Sequence, residues 1–413
     1  WCILFEINMF KTIKIADLVQ LFLLMSLAVV VIYYYVHPIE RNKLKIKFYP
    51  MQAILEQRAV HCNTNAPEWL KKAVQTTTFT HYAPNNQIAY LTPAGQLYHC
   101  ESGYLGLPLL SDHVTAETRF RYASITKLWT SDAILDLLKS KQLALETPML
   151  TLLPKLSPMY DSRIEQINVK DLLLHRAGFK RTGLMGDEMF KVKQKPFCPT
   201  ALSELAKFEL AFNPNTEYSY SNLGYCLLGE IIAHQTQKTY TKWLEQHYQL
   251  EADHIRFLEN KRYADEAKNL YISTSIMDHG DIYTTFDYPS LASSAGLSGS
   301  AIALVSQVKK MIEKPKPNIL SQPTDQCDLA QLRDCNGYAM FPYQASARQL
   351  KVYFRDGALP SSTSVVMVDE RGGIVALLSS GRSKKGRDEQ DRTKMMLYAE
   401  LETWYKQQNT LTN

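Results

Sequence analysis

Hydrophobic and polar positions divide the chain into four stretches of different character. Residues 18–36 are almost wholly apolar, interrupted only by Gln20 and Ser26 and ending in Tyr33, Tyr34 and Tyr35. This matches the roughly 20 residues that an α-helix needs to cross a bilayer, and tyrosines favour the headgroup boundary. Residues 37–80 read as a connector with one amphipathic helix near 50–60. Strand-like residues 87–91 and 96–103 flank the turn Pro93-Ala94-Gly95, as in a hairpin. Beyond an extended piece at 120–122, Leu128, Ala133, Ile134, Leu137 and Leu138 recur at helical spacing and predict a helix over 124–140.

From about 146 to 290 the pattern is helical segments and loops, with helices expected at 168–175, 201–208 and 222–234. Strand character returns at 349–355, 363–368 and 374–380, with a tight turn at 369–373 and a final helix over 391–408. Strands at both ends and helices between them predict an α+β fold, an antiparallel sheet built from the two chain ends around a helical lobe. The expected organisation is a tail at 1–17, a transmembrane anchor at 18–36, a connector at 37–80 and one enzyme domain at 81–413.

Composition narrows the class. Of 413 residues 46% are hydrophobic and 21% charged, which suits a folded chain. The net charge of +5 is scattered and no nucleic-acid motif accompanies it, so no nucleic-acid partner is expected. The apolar run ends without the small-residue pattern of a cleaved signal peptide, which favours an anchor over that alternative. Orientation has two opposing signals. Lys11 and Lys14 precede the run and Arg41, Lys43, Lys45 and Lys47 follow it, which places the body in the cytoplasm by charge counting. Cys62 with Cys100, and Cys327 with Cys335, look bridgeable, which favours an oxidising compartment, and a periplasmic, membrane-anchored location is the expectation. Cys226 reads as a buried packing residue.

A serine hydroxyl becomes a nucleophile when a neighbour takes its proton. In Ser124-Ile125-Thr126-Lys127 the lysine lies one helical turn from the serine, and the serine falls at a helix start, where backbone N–H groups favour developing negative charge. Ser306 and Lys309 have the same spacing inside a helical run, so spacing alone is weak. Tyr220-Ser221-Asn222 precedes another helix. The tyrosine can relay a proton and the asparagine amide can hold both the lysine and a substrate carbonyl; the alternative is that Asn222 caps the helix and Tyr220 packs. HExxH, Walker and GxGxxG patterns do not occur, and no metal or cofactor is expected. Gly296-Leu297-Ser298-Gly299-Ser300 lacks the last glycine of a nucleophile elbow.

The stretches RYASITK, DLLLHRAGF and NTEYSYSNLGYCLLGEIIA resemble, in order and spacing, the serine β-lactamase and penicillin-binding-protein superfamily. The class C-like branch, which also holds D-alanyl-D-alanine peptidases and esterases, is the most similar part. LASSAGLSGSAIALVSQV is similar to the family's later small-residue segment. The resemblance implies Ser124 as nucleophile, Lys127 as base, Tyr220 as proton relay and Asn222 as the substrate-positioning residue, with His175 and Gly178 in a structural motif. Where the family carries Lys-Thr/Ser-Gly or His-x-Gly, this chain has Arg355-Asp356-Gly357-Ala358. Gly357 permits close backbone approach, and the Ala358 N–H can join that of Ser124 in an oxyanion hole. Arg355 supplies charge in a different shape from lysine. Asp356 is expected to disfavour substrates with a nearby carboxylate, penicillins included. The expected activity is acyl-enzyme hydrolysis of a small ester or peptide-like amide, including peptidoglycan-like molecules, at the cell envelope. A catalytically silent binding module or scaffold is the second reading, motivated by the altered Arg355-Asp356 pair.

Overall fold

A computed structural model describes residues 15–411 apart from 154–155, 157, 182–186, 269–281, 324–326 and 384. The expected tail at 1–17 falls outside the described residues up to position 14. The chain forms two compact units, Trp1–Phe48 and Tyr49–Asn413. In the first, helix α1 (Ile15–Val36) has 22 residues, with a mean hydropathy of 2.5 over an 18-residue window, and is long and apolar enough to cross a membrane. Helix α2 (Pro38–Arg58) starts there and runs on into the second unit. The helix expected near 50–60 thus starts at Pro38, and Pro50 lies inside it.

The second unit contains an antiparallel seven-stranded sheet. Its order is β1-β3-β2-β10-β9-β8-β7, with β1 Val60–Cys62, β2 Asn86–Leu91, β3 Leu97–Ser102, β7 Phe341–Tyr343, β8 Val352–Leu359, β9 Ser362–Asp369 and β10 Ile374–Ser379. Strands from the two chain ends meet where β2 pairs with β10, as the α+β pattern predicts. Every residue of β9 and β10 is buried, as expected of strands covered on both faces. One face packs on helix α3 (Glu68–Thr80) and the C-terminal helix Arg387–Leu411. The other packs on the larger core.

The expected connector at 37–80 needs correction. Val60 to Cys62 pair with β3, and Trp69, Leu70, Ala73 and Val74 of α3 are buried in the sheet-side core, so this stretch belongs to the sheet unit from Tyr49 onward. Periodicity marks an apolar face but does not say what it packs against. The packing expectation for Cys226 is also corrected. Cys62–Cys100 and Cys327–Cys335 are disulfides, and so is Cys198–Cys226; a loop brings Cys198 onto the buried face of the 222–236 helix, a contact that spacing does not reveal.

The larger core surrounds helix α4 (Lys127–Lys139), in which ten of 13 residues are buried. A short sheet of β4 (Phe120–Arg121), β6 (Leu297–Gly299) and β5 (Arg256–Phe257) feeds the chain into it. Helices α5 (Met149–Leu152), α6 (Val169–Leu173), α7 (Asn222–Thr236) and α8 (Tyr240–Tyr248) fill the helical lobe.

Candidate active site

Strand β4 delivers the chain to Tyr122 and Ala123, and Ala123 adopts a left-handed φ of 50°. A residue with a Cβ is disfavoured there by roughly 1–2 kcal/mol, and its neighbours hold it in place. The Tyr122 N–H donates to Leu297 O at 2.9 Å, Ser364 Oγ donates to Tyr122 O at 2.7 Å and the Tyr122 hydroxyl donates to Ser300 O at 2.7 Å. The turn sets Ser124 in a 3-10 segment, Ala123–Thr126, that continues into α4.

Lys127 is fully buried. Its Nζ lies 2.5 Å from Asn222 Oδ1, 2.7 Å from Ser294 O and 3.4 Å from Ser124 Oγ. Burial first, and the Arg355 charge second, push its amine well below the usual lysine range. A neutral amine has two hydrogens and one lone pair. Asn222 Oδ1 and Ser294 O accept the two hydrogens, which leaves the lone pair for the serine hydroxyl. Tyr220 donates to Ser124 Oγ at 2.6 Å. Burial pushes its phenol up to about 12 against the opposing effect of Arg355, so it stays a donor. The serine oxygen thus sits between a group able to accept its proton and a group able to return one.

Ser221, rather than Asn222, caps α7, its side chain accepting from the Gly224 N–H at 3.0 Å. The Asn222 amide is therefore available to Lys127, and its backbone N–H donates to Asp187 Oδ2 at 2.9 Å. His175 stacks against Tyr220 and Tyr225, with ring centroids 4.5 and 5.0 Å apart. Its Nδ1 accepts from the Ser221 N–H at 3.2 Å. Burial, reinforced by Arg355 and Lys127, pushes its imidazole well below the usual range, so a neutral ring buttresses Tyr220. Asp187 and Ser294 are site residues that the motifs missed. Ser294 lies in the small-residue segment already noted, while Asp187 carries no sequence signal.

The altered motif lies inside β8, not at the end of a strand at residue 355 as the β-branched pattern suggested. A Cβ on Gly357 would stand 2.7 Å from Ser124 N, Ser364 Oγ and Tyr122 O, so the close approach is to the serine's own turn. Ala358 follows and lines the same cleft, which has a volume of about 420 Å³. Arg355 is buried. Its Nε is 3.4 Å from Ser124 O, one terminal nitrogen donates to Ala339 O at 3.1 Å, and the other has no hydrogen-bond partner among the described residues.

Asp356 is not the uncompensated negative charge on which the expectation for it was based. Its carboxylate accepts from Arg333 at 2.6 and 3.2 Å and from Lys394 at 2.9 Å. Burial opposes ionisation, but Lys394 and Arg333 outweigh it and hold the carboxyl well below the usual carboxylate range. The charge that was expected to repel anions is compensated by two cations from distant parts of the chain. Among the described residues Arg181, Arg333, Arg355, Arg382 and Arg387 line the cleft against Asp187 and Asp356. Among the described residues no cluster of three or more His, Cys, Asp or Glu side chains fits a metal ion.

The beta-lactamase family model matches residues 103–400. The chain is 33% identical over 382 residues to a putative fimbrial assembly protein, FimD of serogroup D, from Dichelobacter nodosus, covering 92% of this chain and 95% of that one. A beta-lactamase/D-alanine carboxypeptidase from Yersinia pestis superposes with a TM-score of 0.61 at 17% identity, covering 77% of this chain and 92% of its own. A D-amino acid amidase from Ochrobactrum anthropi gives 0.59 at 19% identity, covering 77% and 93%. These two structures share the fold. With the family model spanning most of its length, the chain belongs to the beta-lactamase family, within the serine β-lactamase and penicillin-binding-protein superfamily of hydrolases.

Proposed function

We propose that this protein is an acyl-enzyme hydrolase of small esters or peptide-like amides at the cell envelope, acting through Ser124. The observation that carries the reading is a buried, neutral-leaning Lys127 within 3.4 Å of Ser124 Oγ, with Tyr220 at 2.6 Å on the same oxygen. Lys127 takes the proton as Ser124 attacks the carbonyl. The backbone N–H groups of Ser124 and Ala358 receive the oxyanion, and Asn222 positions the substrate carbonyl. Tyr220 passes the proton to the leaving group, and water then releases the acyl chain. Arg355, Arg382 and Arg387 favour a substrate with an anionic group beside the scissile bond.

The pairing of Asp356 with Arg333 and Lys394 compensates one half of the altered Arg355-Asp356 pair that motivated the scaffold reading. Three disulfides, the apolar helix α1 and the likeness to the Dichelobacter nodosus fimbrial assembly protein support a membrane-anchored enzyme on the periplasmic side. Intact mass after fluorophosphonate treatment tests the nucleophile. One adduct is expected on wild type and none on Ser124→Ala; no adduct on wild type, or an equal adduct on the variant, defeats the reading. A panel of chromogenic ester, D-Ala-D-Ala and cephalosporin substrates, each with its anionic group free or blocked, tests the substrate class, and the free forms should show the higher kcat/KM.

A further inference from the structure

The cleft around Ser124 carries more positive charge than its own carboxylates balance. Two of its arginines have carboxylates that answer them. Arg333 meets Asp356 at 2.6 Å and Asp391 at 3.1 Å, and the Arg181 charge favours ionised Asp187. Arg355, Arg382 and Arg387 have no ion-pair partner among the described residues.

Arg355 is the most constrained of the three. It is 3% exposed, and a guanidinium does not shed its charge by losing a proton. Ser124 O and Ala339 O hold two of its nitrogens at 3.4 and 3.1 Å. The ring centroids of Phe341, Tyr225 and Tyr220 lie 5.6, 5.9 and 6.0 Å from its Cζ. The remaining nitrogen has no hydrogen-bond partner among the described residues. Asp356, the next residue of β8, is taken by Arg333 and Lys394. A buried charge left without a counter-ion is costly, and the fold supplies none here.

The other two arginines reach the same cleft from a different segment. Arg382 follows β10, and Arg387 opens the C-terminal helix. Burial pushes the Arg382 guanidinium below its usual range, with no carboxylate opposing that effect. Gln390, one turn beyond Arg387, adds an uncharged amide to the lining. A carboxylate ligand brings a single charge, and its two oxygens satisfy one guanidinium fork. Two of the three cations would stay unanswered. A phosphate monoester brings a charge of about −1.5 to −2 and three strong acceptor oxygens, which several guanidiniums can share.

We infer that the anionic group of the substrate is a phosphate monoester, held by Arg382 and Arg387 in the field of the buried Arg355. The ester or amide cleaved at Ser124 then belongs to a phosphorylated small molecule. The inference deepens the hydrolase reading and rests on it.

The test uses the full chain in detergent micelles and phosphate-free buffer. By calorimetry, phenyl phosphate should bind about tenfold or more tightly than benzoate or the singly charged methyl phenyl phosphate, as loss of a charge-assisted contact implies. Arg382→Gln and Arg387→Gln should each weaken phenyl phosphate several-fold more than benzoate. Equal affinities for the three ligands, or equal losses in the variants, overturn the inference. Acetate release is then compared for 2-acetoxyethyl phosphate and the neutral 2-methoxyethyl acetate. The phosphorylated ester should have the higher kcat/KM, and the double variant should close the gap. Tight phenyl phosphate binding without that gap in wild type also overturns the inference, because the phosphate is then no part of the substrate. Calorimetry needs no turnover, so release of acetate from neither ester defeats the Ser124 reading while binding still decides the phosphate site.

Discussion

Among the described residues two lysines are fully buried, Lys127 and Lys394, and they have opposite surroundings. Lys394 lies between Asp356 at 2.9 Å and Asp391 at 2.6 Å, and Arg333 bridges the same two carboxylates. Lys127 meets only neutral oxygens, from Asn222, Ser294 and Ser124, and faces the Arg355 charge. Burial disfavours a charge in both places. Carboxylate partners offset that penalty for Lys394 and make it part of the scaffold under β8. Their absence from the immediate contacts of Lys127 leaves an amine able to act as a base. The partner set, rather than the depth of burial, separates the ion-paired lysine from the one proposed as the base.

The comparison breaks most clearly under substitution. Lys127→Met should lower the second-order rate of fluorophosphonate acylation by about 10²–10⁴-fold, the usual contribution of a general base, and move the unfolding free energy by only about 1 kcal/mol, since neutral hydrogen bonds have small net worth. Lys394→Met should do the reverse. It leaves two carboxylates to one arginine and should destabilise the fold by about 3 kcal/mol, measured by urea unfolding, while the folded fraction still acylates. Comparable rate losses in both variants would end the distinction.

Gly357→Ala should follow. Its Cβ must displace the Ser124 turn or the Ser364 hydroxyl, and a misplaced oxyanion donor lowers kcat by about 10²-fold with a smaller change in KM, measured by steady-state ester hydrolysis. The smallest effect is on pH dependence. The folded-state pKa of Lys127 is depressed, so the unfolded chain binds the extra proton between that pKa and the ordinary lysine value. Stability should therefore rise with pH across this window, and acylation should fall as pH drops through the depressed pKa. Lys127→Met should flatten the stability profile. Glu56 has the opposite sign. Burial raises its carboxyl to about 7 despite bonds from Gln52 and Tyr104, so stability should fall as pH climbs from the ordinary carboxylate range to about 7, and Glu56→Gln should remove that slope in thermal melts.

Several features were legible before any coordinates. Local order was carried by the apolar run of α1, the helical spacing of α4, the β-branched strands and the Ser124-Lys127 and Tyr220-Asn222 spacings, because each depends on neighbours within one or two turns of chain. The outline of the site followed from these. Other features came only from residues far apart in sequence. Arg333 and Lys394 converge on Asp356 and compensate its charge, Cys198 reaches Cys226, Ser294 and Asp187 complete the settings of Lys127 and Asn222, and the supposed connector supplies a strand and a helix to the sheet. Spacing along one segment fixes which side chains share a face. Which distant charge or sulfur meets that face depends on how β8, α7 and the C-terminal helix pack, and that packing decided which partners each buried lysine, cysteine and carboxylate has.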